Sequence, residues 1–309
     1  MVRYLALLGL FAVMLAAPAA AEESGIPRLD EHQFVPVSAI TEPFMTTYLH
    51  MGLGLGGTVN ATQPLYSLSD STLVGSVDSN QFLAGIRFKY QHAMKNWLVV
   101  RLRLNGIARL GTDTSSLLND GITGALGYEV GWLMRVYRSR SVLVSGSVSL
   151  ISANATFVNV SDWFEAQMAG KDADLVRPRT SLTGSGGVHG AWGINRRFGL
   201  LGSLNAGYGE SFDGTGNNSW SSDVRFALSY DGAQDLNAPL GLALTVGRAE
   251  NDVNAESDAA TWFWNLRLAD IGRSDFTAGV ALQSAYFDSP NQSDRVQQLE
   301  IKLDMRYFY

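Results

Sequence analysis

The last eleven residues constrain the fold of this chain more than any other stretch. Residues 299–309 read LEIKLDMRYFY, so every odd position is apolar or aromatic and every even position except Phe308 is charged. Successive side chains of a β-strand point to opposite sides, so a period of two indicates a strand with one apolar and one polar face. The pattern predicts a strand that separates an apolar from a polar environment.

A terminal aromatic strand of this kind resembles the C-terminal insertion signal of bacterial outer-membrane β-barrels. The resemblance is carried by Leu303, Met305, Tyr307 and Tyr309, which share one face and end the chain on an aromatic ring. It implies a location in the outer membrane of a Gram-negative bacterium and insertion from the periplasm by the barrel assembly machinery. It also implies an outer wall that contacts membrane lipid and lipopolysaccharide. The resemblance covers about one strand and identifies a class of proteins, with no specific family.

The other end of the chain has the pattern of a secretory signal peptide. Arg3 precedes an apolar run from Tyr4 to Leu15, and three alanines at 19–21 are followed by two glutamates. This run is too short for a membrane anchor, so we expect cleavage after Ala21. We therefore expect a signal peptide at 1–21, an N-terminal segment at 22–45 and a barrel at 46–309.

Composition is consistent with a barrel and excludes several other classes. The chain is 46% hydrophobic, yet no segment after the signal peptide has the ~20 uninterrupted apolar residues of a membrane-spanning helix. A barrel distributes its apolar residues over short alternating strands. The absence of cysteine rules out disulfides and thiolate metal sites, and we expect no metal and no cofactor. A net charge of −6 argues against a nucleic-acid partner.

The interior of the chain contains twelve predicted strands, which makes the fold class an all-β antiparallel transmembrane barrel of about twelve strands. An even number returns both termini to the periplasm, so ten or fourteen strands are the alternatives. The predicted strands are 46–57, 80–91, 97–110, 121–136, 141–153, 180–194, 199–210, 220–230, 238–249, 260–269, 274–287 and 297–309.

The lengths of the connections distinguish a barrel from a soluble sandwich. Links after even-numbered strands are short, whereas links after odd-numbered strands, such as 58–79 and 154–179, are mostly long and polar. Bacterial barrels place short turns in the periplasm and long loops outside the cell. A sandwich would instead turn its apolar faces inward and would need a second apolar layer.

The polar strand faces are expected to line the lumen. We expect the following residues to set its selectivity: Arg87, Lys89, Arg101, Arg103, Glu129, Arg225, Arg267, Lys302 and Asp304. Arg87, Lys89, Arg101 and Arg103 form a basic stripe on adjacent strands, which favours passive passage of small polar or anionic solutes. Alternatively, the cations pair with Glu129, Glu300 and Asp304 in a closed interior. The barrel would then be structural, anchoring partner proteins of the cell envelope.

Two further segments could narrow the lumen. Residues 22–45 contain three prolines, and we expect a periplasmic tether in preference to a segment folded into the lumen. In the loop 154–179, Asp162 and Glu165 resemble the N-terminal cap of a helix. Trp163, Phe164 and Met168 would form its apolar side, either as a constriction or as a surface helix.

A lipid hydrolase is the second alternative, because some outer-membrane barrels resembling phospholipase A use a Ser/His pair on the wall. His189 and Ser185 share a face of one predicted strand, but four residues along a strand span roughly 13 Å. That distance is too long for a base to activate its nucleophile. No catalytic residue is therefore predicted.

Overall fold

The computed structural model describes most of the chain after the predicted signal peptide. The described residues are 25–59, 62–66, 73–78, 81–110, 121–158, 163, 166–171, 174, 176–210, 218–233, 235, 238–254, 257–287 and 296–309. The predicted signal peptide at 1–21 lies outside them.

Twelve antiparallel strands form a closed barrel in which the last strand pairs with the first. The barrel strands are β3 (Tyr48–Val59), β6 (Phe82–Lys95), β7 (Leu98–Leu110), β8 (Gly121–Arg138), β9 (Val142–Val158), β10 (Val176–Gly193), β11 (Phe198–Glu210), β12 (Asn218–Asp231), β13 (Leu240–Asn254), β14 (Ser257–Asp270), β15 (Phe276–Phe287) and β16 (Val296–Phe308). The prediction of a twelve-stranded antiparallel barrel is confirmed.

Two short hairpins complete the described strands. β1 (Arg28–Leu29) pairs with β2 (His32–Gln33), and β4 (Thr62–Tyr66) pairs with β5 (Leu73–Asp78) within the link between β3 and β6. Among the described residues, no helix is long and apolar enough to cross a membrane.

Several strands run past their predicted ends. β6 continues to Lys95, with a register shift between Ala93 and Lys95, where the sequence pattern suggested a turn from 92. β9 and β10 remain paired as far as Val158 and Val176. Backbone pairing thus continues beyond the apolar pattern, because that pattern reports only the part of a strand that faces lipid.

The outer wall is an apolar surface. Along β3, Met51, Leu53 and Leu55 have exposed fractions of 48%, 60% and 56%, and their neighbours on β16, Leu303 and Met305, are similarly exposed. A water-soluble protein of this size rarely exposes a continuous apolar surface. The apolar faces therefore form the outer surface of a barrel suited to a membrane, and the polar faces point into the lumen.

Aromatic residues lie at both ends of this apolar surface. Tyr307 and Tyr309 contact each other at one end in a tilted arrangement with ring centroids 5.6 Å apart, and Tyr208 and Trp220 do so at the other end, at 5.0 Å. All four rings are largely exposed. Amphipathic rings prefer the membrane interface, so these residues mark the two edges of the membrane band.

The hydrophobic core lies inside the barrel, at the end where the short turns and both strand termini meet. We call this end the short-turn end. Its core joins residues that precede β3 to inward-facing wall residues: Ile26, Leu29, Phe34, Val35, Val37, Ile40, Phe44, Tyr48, Leu143, Ala191, Leu201, Ala227, Ala243, Ala269, Ile271 and Phe308. This half of the lumen is a packed core.

Removal of Tyr307–Tyr309 is expected to prevent assembly of the barrel. Phe308 is buried in the core, its backbone N–H donates to Asp275, and Tyr309 N–H donates to Thr47. The truncated chain loses these contacts together with the proposed insertion signal. The measurement is its outer-membrane level and heat-modifiable mobility, with Tyr309→Phe as control. Normal levels of folded truncated protein would contradict the insertion-signal interpretation.

Candidate functional site

Residues 26–47, which we call the lumenal segment, lie inside the barrel. The segment is held at the short-turn end by backbone bonds from Ile26 N–H to Ser274 and from Asp30 N–H to Arg140, at 2.8 and 3.1 Å. It then reaches into the lumen and returns to the start of β3. The sequence predicts a periplasmic tether at 22–45, but the described residues of this region lie inside the lumen, because their apolar side chains pack against inward-facing wall residues.

A tight hairpin starts the segment. Asp30 and Glu31, between β1 and β2, both have positive φ angles of 46° and 70°. Positive φ at both central residues defines the type I′ turn of a two-residue hairpin. Arg140 pairs with Asp30 at 2.8 Å and Arg196 pairs with Glu31, so arginines of the short turns hold the hairpin at the rim.

Two glycines of the wall make room for the segment. A Cβ atom at Gly199 would lie 2.4 Å from Cδ2 of His32, and one at Gly241 would lie 2.4 Å from Cγ2 of Val35. Real Cβ atoms do not approach other heavy atoms so closely. Only glycine therefore lets the segment pack directly against the backbone of β11 and β13.

His32 connects the segment to the wall through a complete hydrogen-bond network. Its Nδ1 lies 3.2 Å from the Arg196 carbonyl oxygen and its Nε2 lies 3.1 Å from Oγ of Ser229. The Ser229 hydroxyl also accepts from Val35 N–H at 2.9 Å. Because a carbonyl can only accept, Nδ1 donates and the neutral ring accepts at Nε2. Burial lowers the pKa of His32, and the hydrogen bond to the Arg196 carbonyl and the charge of Asp231 oppose this only in part.

Arginines of the wall bind the backbone carbonyls of the segment. Arg225 Nη1 donates to the Ala39 carbonyl at 2.6 Å, and Arg267 Nη1 donates to the Pro36 carbonyl. Arg87 Nη1 lies 3.5 Å from the Ser38 carbonyl. We call these three side chains the arginine clamp. They satisfy carbonyls of an irregular backbone that has no strand partner inside the lumen.

A buried carboxylate holds the part of the segment that leads back to β3. Glu42 accepts from Val37 N–H at 2.6 Å and from Arg306 Nη1 at 2.5 Å. The Arg306 guanidinium lies 4.4 Å from the ring centroid of Tyr48. Burial by itself would raise the pKa of Glu42, but the charge and hydrogen bond of Arg306 outweigh it and the pKa is lowered. Glu42 is therefore a buried anion that is paired and hydrogen-bonded.

Three chambers lie around the apex of the segment, and Ser38 lines all of them. The central chamber, of about 280 Å³, is lined by Arg87, Arg103 and Arg225 together with Asn105, Gln283, Gln298 and Phe263. A serine-rich chamber of about 290 Å³ adds Glu129 and Asp223. A third, of about 220 Å³, adds Glu300, Lys302 and Asp304.

The predicted lumenal residues all lie on the inner side, in two different settings. Arg87, Arg103 and Arg225 line the central chamber. The others are mostly buried in ion pairs, and Arg103 and Arg225 are themselves paired with Glu129 and Asp223. Arg101 and Arg103 lie 3.6 and 2.9 Å from the carboxylate of Glu129. Two further ion pairs join Lys302 to Glu300 at 3.1 Å and Arg267 to Asp304 at 2.6 Å. The Lys89 ammonium group lies 5.2 Å from the ring centroid of Tyr48. The predicted basic stripe is thus divided between an accessible chamber and a buried base.

In the loop 154–179, the described residues of the predicted helix are 163 and 166–168, and all of them are helical. Met168 is 70% exposed, so it faces away from any packed surface. Trp163 is partly buried, and the predicted Phe164 lies outside the described residues.

Sequence reasoning missed a polar cluster that joins three strands. His189 lies 2.7 Å from Oγ of Ser147 through Nε2 and 2.8 Å from Oγ of Ser203 through Nδ1. Ser185 contacts Ser149 at 2.7 Å instead of His189. The sequence does contain an inward-facing serine on each strand next to His189. Its pairing with His189 can be recognised only when the register of β9, β10 and β11 is known.

In the part of the chain that the structure describes, no group of three or more His, Asp or Glu side chains could hold a metal ion.

Comparison with known proteins identifies the fold. No family model and no curated protein matches the sequence. Among solved structures, the β domain of the Bordetella autotransporter BrkA is similar with a TM-score of 0.51 and 7% identity, over 85% of this chain and 100% of that one. An outer-membrane channel from Pseudomonas putida is similar with a TM-score of 0.49 and 10% sequence identity, over 90% of this chain and 100% of that one. The translocator domain of the autotransporter NalP from Neisseria meningitidis is similar with a TM-score of 0.47 and 9% sequence identity, over 85% of this chain and 88% of that one. The protein has the fold of an outer-membrane β-barrel.

Lowering the pH is expected to weaken docking of the lumenal segment. The pKa of His32 is lowered when docked, so the undocked segment binds more protons. Docking is then strongest above pH ~6.5, the ordinary histidine pKa, and weakens by up to about tenfold per pH unit below it. The measurement is the NMR signal of the Val35 amide in micelles against pH, with His32→Gln as comparison. An identical pH dependence in both proteins would contradict this role of His32.

Gly241→Val is expected to destabilise the folded barrel by about 1–3 kcal/mol, because the new side chain overlaps Val35. The matched control is Gly127→Val, where a Cβ atom would have its nearest contacts at 4.0 Å. The measurement is urea unfolding followed by tryptophan fluorescence. Equal stability of the two variants would show that the lumenal segment does not pack on Gly241.

Proposed function

We propose that the protein is a passive channel for small anionic solutes and that the lumenal segment is its plug. The observation that carries this proposal is the convergence of Arg87, Arg103 and Arg225, from three different strands, on one chamber of the lumen. Three guanidinium groups give a positive potential there, which attracts anions and repels cations. Small polar solutes would use the same path with less selectivity.

A buried arginine next to the central chamber also favours anions over cations. Arg101 is almost fully buried and lines the adjoining serine-rich chamber, where the field of its charge is poorly screened. Arg101 shares Glu129 with Arg103, so a single carboxylate faces two guanidinium groups. Arg101 thus adds to the positive potential that an entering solute meets.

The packed core at the short-turn end makes the described state a closed one. Phe34, Val35 and Phe44 fill the centre of the barrel against wall residues such as Leu201 and Ala243. A solute that reaches the central chamber must displace part of the lumenal segment before it can leave on the other side. Conduction therefore requires movement of the plug.

A structural or interaction barrel is the second candidate, and the same core is the observation that favours it. A barrel whose interior is filled by its own chain can anchor partner proteins without conducting. The two candidates differ in one property, because only a channel gives discrete conductance steps in a lipid bilayer.

We do not propose a hydrolase. Ser147 lies within hydrogen-bond distance of His189, but the second ring nitrogen of His189 contacts a serine hydroxyl and no carboxylate. In a catalytic triad a carboxylate orients the histidine and stabilises its protonated form. The cluster is better explained as a set of cross-strand bonds that satisfies a buried imidazole.

A disulfide between the lumenal segment and the wall is expected to abolish conductance reversibly. The chain has no cysteine, and the contact between Val35 and Gly241 places Val35→Cys with Gly241→Cys within reach of each other. We expect no conductance steps from the oxidised double variant in a planar bilayer and recovery after reduction. Val35→Cys alone is the control. Conductance of the oxidised, cross-linked barrel would contradict plug gating, and a silent wild-type barrel would favour the interaction barrel.

Loss of two chamber arginines is expected to reduce anion selectivity. The double variant Arg87→Ala with Arg103→Ala removes two of the three positive charges in the central chamber. The reversal potential under a salt gradient should move towards that of a non-selective pore. Arg248→Ala is the matched control, because Arg248 lies on the outer wall, where it pairs with Glu250 and covers Trp262. Unchanged selectivity in the double variant would refute the role of these arginines.

A further inference from the structure

The central chamber differs from its two neighbours in having no carboxylate. Its described lining contains Arg87, Arg103 and Arg225, three side-chain amides and the ring of Phe263. The serine-rich chamber, by contrast, contains Glu129 and Asp223, and the third contains Glu300 and Asp304. Arg103 and Arg225 are paired with carboxylates of the serine-rich chamber, at 2.9 Å from Glu129 and 3.2 Å from Asp223, whereas Arg87 has no ion pair among the described residues.

Donor groups around the central chamber remain in excess. Among the described residues, Arg87 forms no ion pair, and its bond to the Ser38 carbonyl is long at 3.5 Å. Arg225 has one carboxylate partner, Asp223, at 3.2 Å, and its buried Nε has no partner. A guanidinium group can donate five hydrogen bonds, so both arginines have capacity for further acceptors.

Apart from Asp223, the acceptors that Arg87 and Arg225 now use belong to the apex of the lumenal segment. Ser38 and Ala39 offer neutral carbonyl oxygens to them. A carboxylate would give a hydrogen bond that is charged on both sides and often bidentate, which is roughly twice as strong as a neutral one. An anion in the chamber would therefore compete with the apex for the same donors.

We propose that the central chamber binds a small polycarboxylate and that its carboxylate oxygens replace the Ser38 and Ala39 carbonyls on Arg87 and Arg225. The amides of Asn105, Gln283 and Gln298 supply the polar contacts that orient such a ligand. The chamber volume of about 280 Å³ sets its size to a molecule of a few carboxylate groups. Bound anion thus frees the apex, and the solute itself opens the plug.

This inference deepens the proposed function and depends on it for access of solutes to the lumen. A ligand opens the plug only if it binds the open state more tightly than the closed state. The chamber arginines meet this condition, because they bind the polycarboxylate fully only when the apex has left them. Chloride, which cannot bridge two guanidinium groups with separate oxygens, should not release the apex. Selectivity and gating would then reside in the same arginines.

The first test is binding of citrate to the refolded barrel by isothermal titration calorimetry. We expect saturable binding that Arg87→Gln and Arg225→Gln each weaken about tenfold or more, since each removes one charge-assisted pair. Arg248→Gln, on the outer wall, should bind as the wild type does. Heat-modifiable mobility checks that each variant is folded, and Arg225→Lys keeps the charge if Arg225→Gln does not fold. Absence of saturable binding, or equal binding by all variants, would overturn the proposal.

The second test measures release of the apex directly. Val37 is buried beside the apex, and Val37→Cys would provide the single thiol of the chain. We expect citrate to accelerate labelling of this thiol by a soluble maleimide about tenfold or more, while chloride at equal ionic strength leaves it unchanged. Inorganic phosphate tests whether one oxyanion group suffices, and the proposal predicts a smaller acceleration. Labelling that is unchanged or slowed by citrate would contradict displacement of the apex.

The two tests separate this inference from the proposed function. Citrate binding with accelerated labelling in a barrel that never conducts would support the chamber and refute the channel. Conductance with anion selectivity but no citrate binding would support the channel and refute the chamber.

Discussion

The structure depends on hydrogen bonds between arginine side chains of the wall and backbone carbonyls of the lumenal segment. Inside a barrel, an irregular backbone has no strand to pair with and little water, so each buried carbonyl without a donor would cost free energy. Arg225 and Arg267 bind the carbonyls of Ala39 and Pro36. The Arg225 guanidinium also lines the central chamber, so its bond to Ala39 both holds the segment and defines the site.

The inner surface of the barrel wall and the lumenal segment are complementary in shape. Gly199 and Gly241 leave space that any side chain would fill, and inward alanines such as Ala227 and Ala243 pack against its apolar residues. A barrel with a water-filled pore would gain nothing from an apolar inner surface at one end. This complementarity is the physical reason to regard residues 26–47 as part of the channel mechanism.

The sequence predicts the barrel well because its signals are local. The alternation that ends at Tyr309 and the regular change between short and long links follow from the period of a strand and from insertion from one side. Strand ends such as Lys95 and Val176 were missed, because pairing outside the membrane needs no apolar face. The inward phase of Arg87 and Arg225 could be read from the sequence for the same local reason.

The interior could not be predicted in the same way. The bond from Arg225 to Ala39 joins residues 186 positions apart, and the contact of Ser147 with His189 needs the register of two strands. Neither leaves a periodic pattern in the sequence. Residues 22–45 contain three prolines and few alternating positions, so their composition fits a tether as well as a lumenal segment.

Amide hydrogen exchange of the refolded protein tests the central claim most directly. Val35 N–H donates to Ser229 and Val37 N–H to Glu42, both in the buried interior. If the segment closes the lumen, these two amides exchange as slowly as that of Leu303 in the barrel wall. Exchange of Val35 and Val37 at the rate of an unstructured peptide, with Leu303 still protected, would contradict a plug and indicate a free periplasmic tether.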